Sequence, residues 1–300
     1  MSEHDRGPVV VGIDGSGTAR GAVRWAAREA ARRGTSLRIV YADVFALPVL
    51  PEIPGVPWPR EHHAAVRVEV EKWLAEAAES AGAESPGVPV ETESCPGTPP
   101  SVMIDESRRA GLVVVGDRGL GGFTGLLAGS VAVTVAAHSH TTTAVVRGRS
   151  DRGQGLVDGP VVVGLDGSRE TELLLAHAFE AAAAWDAPLH VVHAWDVVGV
   201  DAKWLRVGLG EEEVRHREQL LMAELLAGWG ERYPDVVVDR FIERGSAAGE
   251  LLAHSDGARL VVVGARGRGG FSGLLLGSTS QALLHHAPCP VLVVRGKRSA

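Results

Sequence analysis

Aromatic residues are scarce in this chain of 300 residues: Phe, Trp and Tyr make up 5% of it. That argues against a surface that stacks on bases, as single-strand binders do. An excess of basic charge is missing as well. The formal net charge is −7, so no global field draws in nucleic acid or an anionic membrane, and neither is expected as a partner. Only two cysteines occur, Cys95 and Cys289. They make no zinc-type spacing with histidine and no disulfide framework, which fits a reducing cytoplasm. No apolar run attains the roughly 18–20 residues of a membrane-spanning helix. The opening MSEHDRGP is polar, with no apolar signal core behind it. A soluble cytoplasmic protein is expected. What the chain has instead is 38 glycines and 45% apolar residues, a balance suited to tight turns between elements packed from Val, Ala and Leu.

The chain repeats itself. PVVVGIDGS at Pro8–Ser16 returns as PVVVGLDGS at Pro160–Ser168, changed only at Ile13 against Leu165. LVVVGDRGLGGFTGLLAGS at Leu112–Ser130 is answered by LVVVGARGRGGFSGLLLGS at Leu260–Ser278, and TAVVRG at Thr143–Gly148 by PVLVVRG at Pro290–Gly296. Matching blocks in one order mark a duplication, which sets the fold unit before any local reading. Two domains are therefore expected, at residues 1–148 and 160–300, joined by a polar, Gly-rich linker at 149–159.

Within each copy, short Val-rich runs alternate with helical stretches. Val9–Ile13 and Val161–Leu165 read as strands buried on both faces. Ala22, Val23, Ala26, Ala27 and Ala30, and in the second copy Leu173, Leu174, Ala178 and Ala181, recur at helical spacing. Second strands follow at Leu37–Ala42 and Leu189–Trp195. The first copy then has a Pro-rich stretch, LPVLPEIPGVPWPR, that excludes regular structure. Both copies continue with a long amphipathic helix, about Glu61–Ser80 and Glu211–Gly230. A third strand (Val88–Glu93; Val236–Ile242), a short helix, a fourth strand (Leu112–Gly116; Leu260–Gly264), a glycine loop, a helix and a fifth strand complete each copy. The alternation predicts an α/β protein of two tandem, doubly wound, five-stranded parallel-sheet domains, flavodoxin-like or related, with right-handed crossovers. Ligands of such sheets bind beyond the carboxyl ends of the strands, where the winding reverses. Asp14 and Asp166, which follow the first strands, and the glycine loops after the fourth are placed there.

The glycine loop carries the clearest chemistry. It reads Gly116-x2-Gly119-x9-Gly129-Ser130, and again Gly264-x2-Gly267-x9-Gly277-Ser278. A polyphosphate needs several N–H donors and close approach of backbone, which glycine permits. Ser130 and Ser278 open the next helix and add a hydroxyl and a helix N-terminus, a natural anion site. Arg118 and Arg266 either pair with phosphate or point to solvent, with phosphate favoured. Asp14 and Asp166 lie in DGS sequences that suit a turn or a helix cap equally well. Other phosphate loops fail. No G-x-x-x-x-G-K-[ST] occurs, and G-x-G-x-x-G breaks at Thr124 and Ser272, after a late strand where the dinucleotide fingerprint needs the first.

On these residues the chain resembles the universal stress protein family in its tandem-domain form, over nearly its whole length and once per copy. The resemblance implies a three-layer α/β/α fold of the adenine nucleotide alpha hydrolase-like kind. It also implies an ATP-binding, stress-responsive regulator, usually dimeric and not an enzyme, with slow hydrolysis of bound ATP left open. By matching position it implies nucleotide contacts at Gly12, Asp14, Ala42, Val115, Gly116, Arg118, Gly119, Gly129, Ser130 and Val131 in the first copy. In the second they are Gly164, Asp166, Ala194, Val263, Gly264, Arg266, Gly267, Gly277, Ser278 and Thr279. Asp14 and Asp166 would face the nucleoside, Ala42 and Ala194 would offer backbone to the adenine, and the loop residues would line the phosphates, with or without Mg2+. One departure stands out: Asp117 replaces the Ala265 of the second copy. It puts a carboxylate beside the expected phosphates, to repel them or to help hold Mg2+. The second copy is therefore expected to be the tighter ATP site.

Two other readings stay open. An interaction module without nucleotide would use the apolar last strands, such as Val291–Val294, to pair the copies within a chain or to form a homodimer. An adenylate-forming or pyrophosphatase-type enzyme would need a catalytic cluster, and the sequence offers no G-x-S-x-G elbow and no acidic cluster repeated at the loops. The histidine pairs His62–His63 and His285–His286 diverge on helices and make poor joint ligands. Trp73, Trp185, Trp204 and Trp229 read as packing residues.

Overall fold

Val-rich segments in each half pair as parallel strands, and helices fill the crossovers. In the computed structural model the first half runs β1 (Val9–Ile13), α1 (Gly17–Arg33), β2 (Leu37–Asp43), a 3-10 turn at Val44–Ala46, α2 (Arg60–Glu84), β3 (Val90–Pro96), α3 (Pro99–Glu106), β4 (Leu112–Gly116), α4 (Ser130–His138) and β5 (Thr143–Val146). The second half runs β6 (Val161–Gly164), α5 (Thr171–Ala184), β7 (Leu189–Trp195), α6 (Glu211–Leu225), α7 (Trp229–Arg232), β8 (Val238–Arg244), α8 (Ala247–Ser255), β9 (Leu260–Gly264), α9 (Ser278–His286) and β10 (Val291–Val294). The structure describes residues 7–46, 60–119, 128–147, 158–195, 211–267 and 275–296, with backbone alone at 60–64. The Pro-rich stretch, most of the linker, the centres of both glycine loops, the His62 and His63 side chains and Trp204 lie outside the described residues.

The chain forms two units, one holding β1–β5 and the other β6–β10. Strand order in the first is β3-β2-β1-β4-β5, and every pairing is parallel. The second repeats it as β8-β7-β6-β9-β10. Winding runs outward from β1 through β3, then jumps back to β4, so the reversal lies between β1 and β4, and between β6 and β9. The order is that of the doubly wound class with its switch point beside the first strand.

The central strands are covered on both faces. In the first unit α1 packs with α2 and lies on β1 and β4, while α3 packs with α4 and reaches β1 and β2. Val9, Val10 and Val11 of β1 and Val113 and Val114 of β4 are fully buried as a result. Two-sided burial is why these strands read as unbroken Val runs and not as alternating patterns. Each such side chain contributes about 1.5–3 kcal/mol.

α1 shows how local signals set an element. Ser16 caps it, its Oγ accepting the Ala19 N–H at 3.1 Å. Ala22, Val23, Ala26, Ala27 and Ala30 form its buried face, and Gly34 ends it in the left-handed region at φ 61. Four other elements depart from expectation. α2 continues to Glu84 through Ala-rich sequence of high helix propensity. The long helix of the second copy breaks after Leu225, where Gly228 takes φ 79, and resumes as the short α7. Its Trp229 stacks on Phe179 of α5 at 5.0 Å, and Tyr233 on the same ring at 5.3 Å, so aromatic packing settles the break. β3 and β8 begin two residues later than expected, because pairing with β2 and β7 sets their register.

Candidate nucleotide site

The turn after β1 and the loop after β4 meet at the switch point. Asp14 Oδ1 accepts the Ser16 N–H at 3.0 Å and closes the turn. Its other oxygen faces Gly119, where a methyl group would collide with it. The carboxylate thus shapes the turn with one oxygen and meets the glycine loop with the other. Thr18, in the first turn of α1, donates from Oγ1 to the Arg118 carbonyl, and a methyl on Gly116 would press on Thr18 at 3.3 Å. Across the loop the Gly129 N–H donates to the Asp117 carbonyl at 2.7 Å. Gly116 and Gly129 therefore let one backbone segment approach another, and Gly119 makes room for the Asp14 carboxylate. Gly15, at φ 84, lies so close under the Trp73 indole that a β-carbon would stand 2.6 Å from it.

The second unit reproduces the frame. Asp166 Oδ1 accepts the Ser168 N–H at 2.9 Å, a β-carbon on Gly267 would stand 2.7 Å from Asp166 Oδ2, and the Gly277 N–H donates to the Ala265 carbonyl at 2.7 Å. Ser280 adds a bond from its hydroxyl to the Gly264 carbonyl at 2.5 Å.

α4 starts at Ser130 with Gly129 as its cap, and α9 at Ser278 with Gly277. Neither cap residue has a side chain to occupy the first-turn N–H groups, which is the donor set an anion uses at a helix start. Ser130, Arg118 and Gly119 are exposed around that point, as are Ser278, Arg266 and Gly267. The residues present fit a phosphate group held at the helix start. Ala42 and Ala194 are half-buried at the ends of β2 and β7; Ala42 follows Tyr41, the partner of Ile13, and Ala194 stands two places after Val192, the partner of Gly164.

Twice over, a β-strand, an Asp turn and a glycine loop of one spacing converge on one switch point, and the model of the universal stress protein family matches residues 6–147 and again 159–295. The chain belongs to the universal stress protein family. Universal stress protein Rv2623 of Mycobacterium tuberculosis (strain ATCC 25618 / H37Rv) is 36% identical over 291 residues, 96% of this chain and 96% of that protein. Universal stress protein Mb2028c of Mycobacterium bovis is 39% identical over 293 residues, again 96% of each. A solved universal stress protein from Archaeoglobus fulgidus DSM 4304 matches with a TM-score of 0.67 at 22% identity, over 98% of this chain and 99% of that one, a likeness of fold.

In this universal stress protein the expected contact residues divide by position. Gly116, Gly119, Gly129, Ser130 and Asp14 come together, as do Gly264, Gly267, Gly277, Ser278 and Asp166. Val131 and Thr279 follow in the first helical turns, half-buried. Val115 and Val263 are buried strand residues with 4% and 2% exposure. Gly12 and Gly164 lie under helices: a β-carbon there would meet Met103 Sδ at 2.9 Å and Leu251 Cδ1 at 2.6 Å, so packing against α3 and α8 accounts for both.

Asp117 is not where the sequence suggests. It is 3% exposed, so its carboxylate is withdrawn from solvent and does not stand open beside the helix start. Burial pushes its carboxyl above the usual range, ahead of the opposing pull of the Arg147 and Arg118 guanidinium groups. The Arg118 Nε stands 3.6 Å from Oδ2, while Oδ1 has no hydrogen-bond partner among the described residues. Thr18 and Glu170, which occupy equivalent places in the two crevices, go unnoticed in the sequence. Comparing the turns position by position, DGSGT against DGSRE, would have exposed them.

Proposed function

We propose that each unit binds an adenine ligand at its switch point, ATP in at least one of them, and that the protein acts as an ATP-binding regulator of a stress response, not as an enzyme. One observation carries the reading: the turn after the first strand and the glycine loop after the fourth converge on a helix start in both units, with the same spacing and the same Asp–Gly contact. In this arrangement Asp14 orients the turn toward the nucleoside, the β2 end offers backbone to the base, and Ser130 with the α4 amides takes phosphate. Regulation then requires that ATP bind one conformational state better than another. The test is to denature freshly purified full-length protein and chromatograph the released nucleotide per chain. At least one adenine nucleotide per chain is expected. None released, together with a melting temperature unmoved by saturating Mg·ATP, refutes the reading, since ligand at a hundredfold its Kd would add about 2.7 kcal/mol.

A further inference from the structure

The two crevices share a frame but not a charge. Two places after Ser16 stands Thr18, whose hydroxyl donates to the Arg118 carbonyl. Two places after Ser168 stands Glu170. α5 begins at Thr171, which makes Glu170 its N-cap, with φ −87, ψ −5 and no capping bond from its side chain. In the first unit the helix begins two positions earlier relative to the turn, at Gly17. The Glu170 carboxylate therefore turns into the crevice. Oε2 lies 3.3 Å from where a β-carbon of Gly264 would stand, and Oε1 lies 3.4 Å from the corresponding point on Gly296. The group thus spans the carboxyl ends of β9 and β10. Oε2 is closed off from solvent and has no hydrogen-bond partner among the described residues.

Gly264 opens the glycine loop, so this anion stands at the root of the segment that would carry phosphate. A carboxylate oxygen without a donor is an unfavourable burial unless a ligand supplies one. A polyphosphate brings like charge to it, at a range where neither protein nor salt screens the repulsion fully. A nucleoside without phosphate brings no such charge. From this we infer that Glu170 sets the charge of the ligand taken by the second crevice: the first unit accepts the triphosphate, and the second selects adenine ligands of low phosphate charge, adenosine ahead of ATP. The inference rests on the adenine-nucleotide reading above. It reverses the ranking expected from Asp117, whose carboxylate is withdrawn from solvent.

Titration calorimetry on the full-length protein with ATP and with adenosine tests it, using the unaltered chain, Glu170→Gln, Glu170→Thr and Thr18→Glu. The unaltered chain is expected to show two classes of ATP site separated by about tenfold or more, equivalent to about 1.4 kcal/mol. Both Glu170 substitutions should tighten the weaker ATP class by about tenfold and change adenosine binding by less than about twofold. Thr18→Glu should weaken the stronger ATP class and leave adenosine nearly unmoved. Equal ATP sites in the unaltered chain, or a weaker class that neither Glu170 substitution moves while adenosine binds, overturns the inference alone. Silence toward both ligands in every variant refutes the nucleotide reading and the inference with it. Glu170→Gln keeps the side-chain shape, so a folding failure of Glu170→Thr leaves the test intact.

Discussion

Replacing Asp117 with Asn should stabilise the first unit at neutral pH. Asp117 is 3% exposed, its Oδ1 lacks a hydrogen-bond partner among the described residues, and burial outweighs Arg147 and Arg118 in holding its carboxyl above the usual range. The sign follows from linkage. A group that binds its proton more tightly in the folded state gives a native form richer in protons than the unfolded chain, between the unfolded pKa of about 3.9 and the higher folded one. Stability therefore falls as pH rises through that window, and the full penalty is present above it. Asn keeps the volume and removes the charge. Asn still buries an amide oxygen, so the gain is the extra cost of burying a charged acceptor over a neutral one, about 1–3 kcal/mol. The attraction of Arg147 and of the half-exposed Arg118, whose Nε is 3.6 Å away, gives back about 1 kcal/mol when lost. From the middle of that range a net gain of about 1 kcal/mol remains, which for a unit of this size raises the melting temperature by about 2–4 °C. Differential scanning calorimetry of the full chain, from pH 7 down to the unfolded pKa of about 3.9, measures it. The gap between variant and unaltered protein should narrow as the pH falls toward the unfolded pKa, because the native carboxyl takes up its proton first. An Asn variant that melts lower at pH 7, or a gap that does not change with pH, would mean that the two guanidinium groups outweigh burial.

Ser16→Ala should cost about 1 kcal/mol by removing the cap on Ala19 N–H, whereas Ser168→Ala should cost almost nothing, because α5 begins later and the Ser168 hydroxyl has no partner among the described residues; urea midpoints of the two variants compare them directly. Gly15→Val sets a branched side chain at φ 84 against the Trp73 indole, so strain and overpacking together should destabilise by about 3 kcal/mol or more, read from the same unfolding curves. His193 Nε2 lies 2.8 Å from Glu218 Oε2, and its Nδ1 2.8 Å from the Leu165 carbonyl. Glu218→Leu should therefore cost about 1–3 kcal/mol, with a shift of the His193 ring resonances in NMR; unchanged resonances would show that the pair does not persist in solution.

Some of this architecture is legible in the sequence because burial writes itself into composition. β1, β4, β7 and β9 start and stop where the apolar runs do, since both faces of these strands are covered. Edge strands leave no such mark. β3 reads VETESCP and is mostly exposed; its start follows from Pro89, whose carbonyl receives the Leu37 N–H at 2.9 Å, a contact no local pattern encodes. The break between α6 and α7 likewise depends on a ring, Phe179, about fifty residues away. At the site, the Asp turns and the spaced glycines announce themselves through their repetition. Their reason differs from the one the motif suggests, because the first and second glycines of each loop admit Thr18, Glu170, Asp14 and Asp166 as well as any ligand. Thr18 and Glu170 belong to no motif and differ between the copies, so only the late start of α5 gives Glu170 its place.

The bond from Thr18 to the Arg118 carbonyl also has a mechanical side. α1 is 17 residues long, a rod of about 25 Å, and this bond hooks its first turn to the lip of the glycine loop. The position of residue 118 and that of the start of α1 are thus tied, and the helix carries that tie through to Arg33 at its other end. In the second unit a carboxylate stands where the hook would be. The duplicated halves thus differ in linkage as well as in charge: the first crevice is bonded to its helix at this point, whereas Glu170 Oε2 has no hydrogen-bond partner among the described residues.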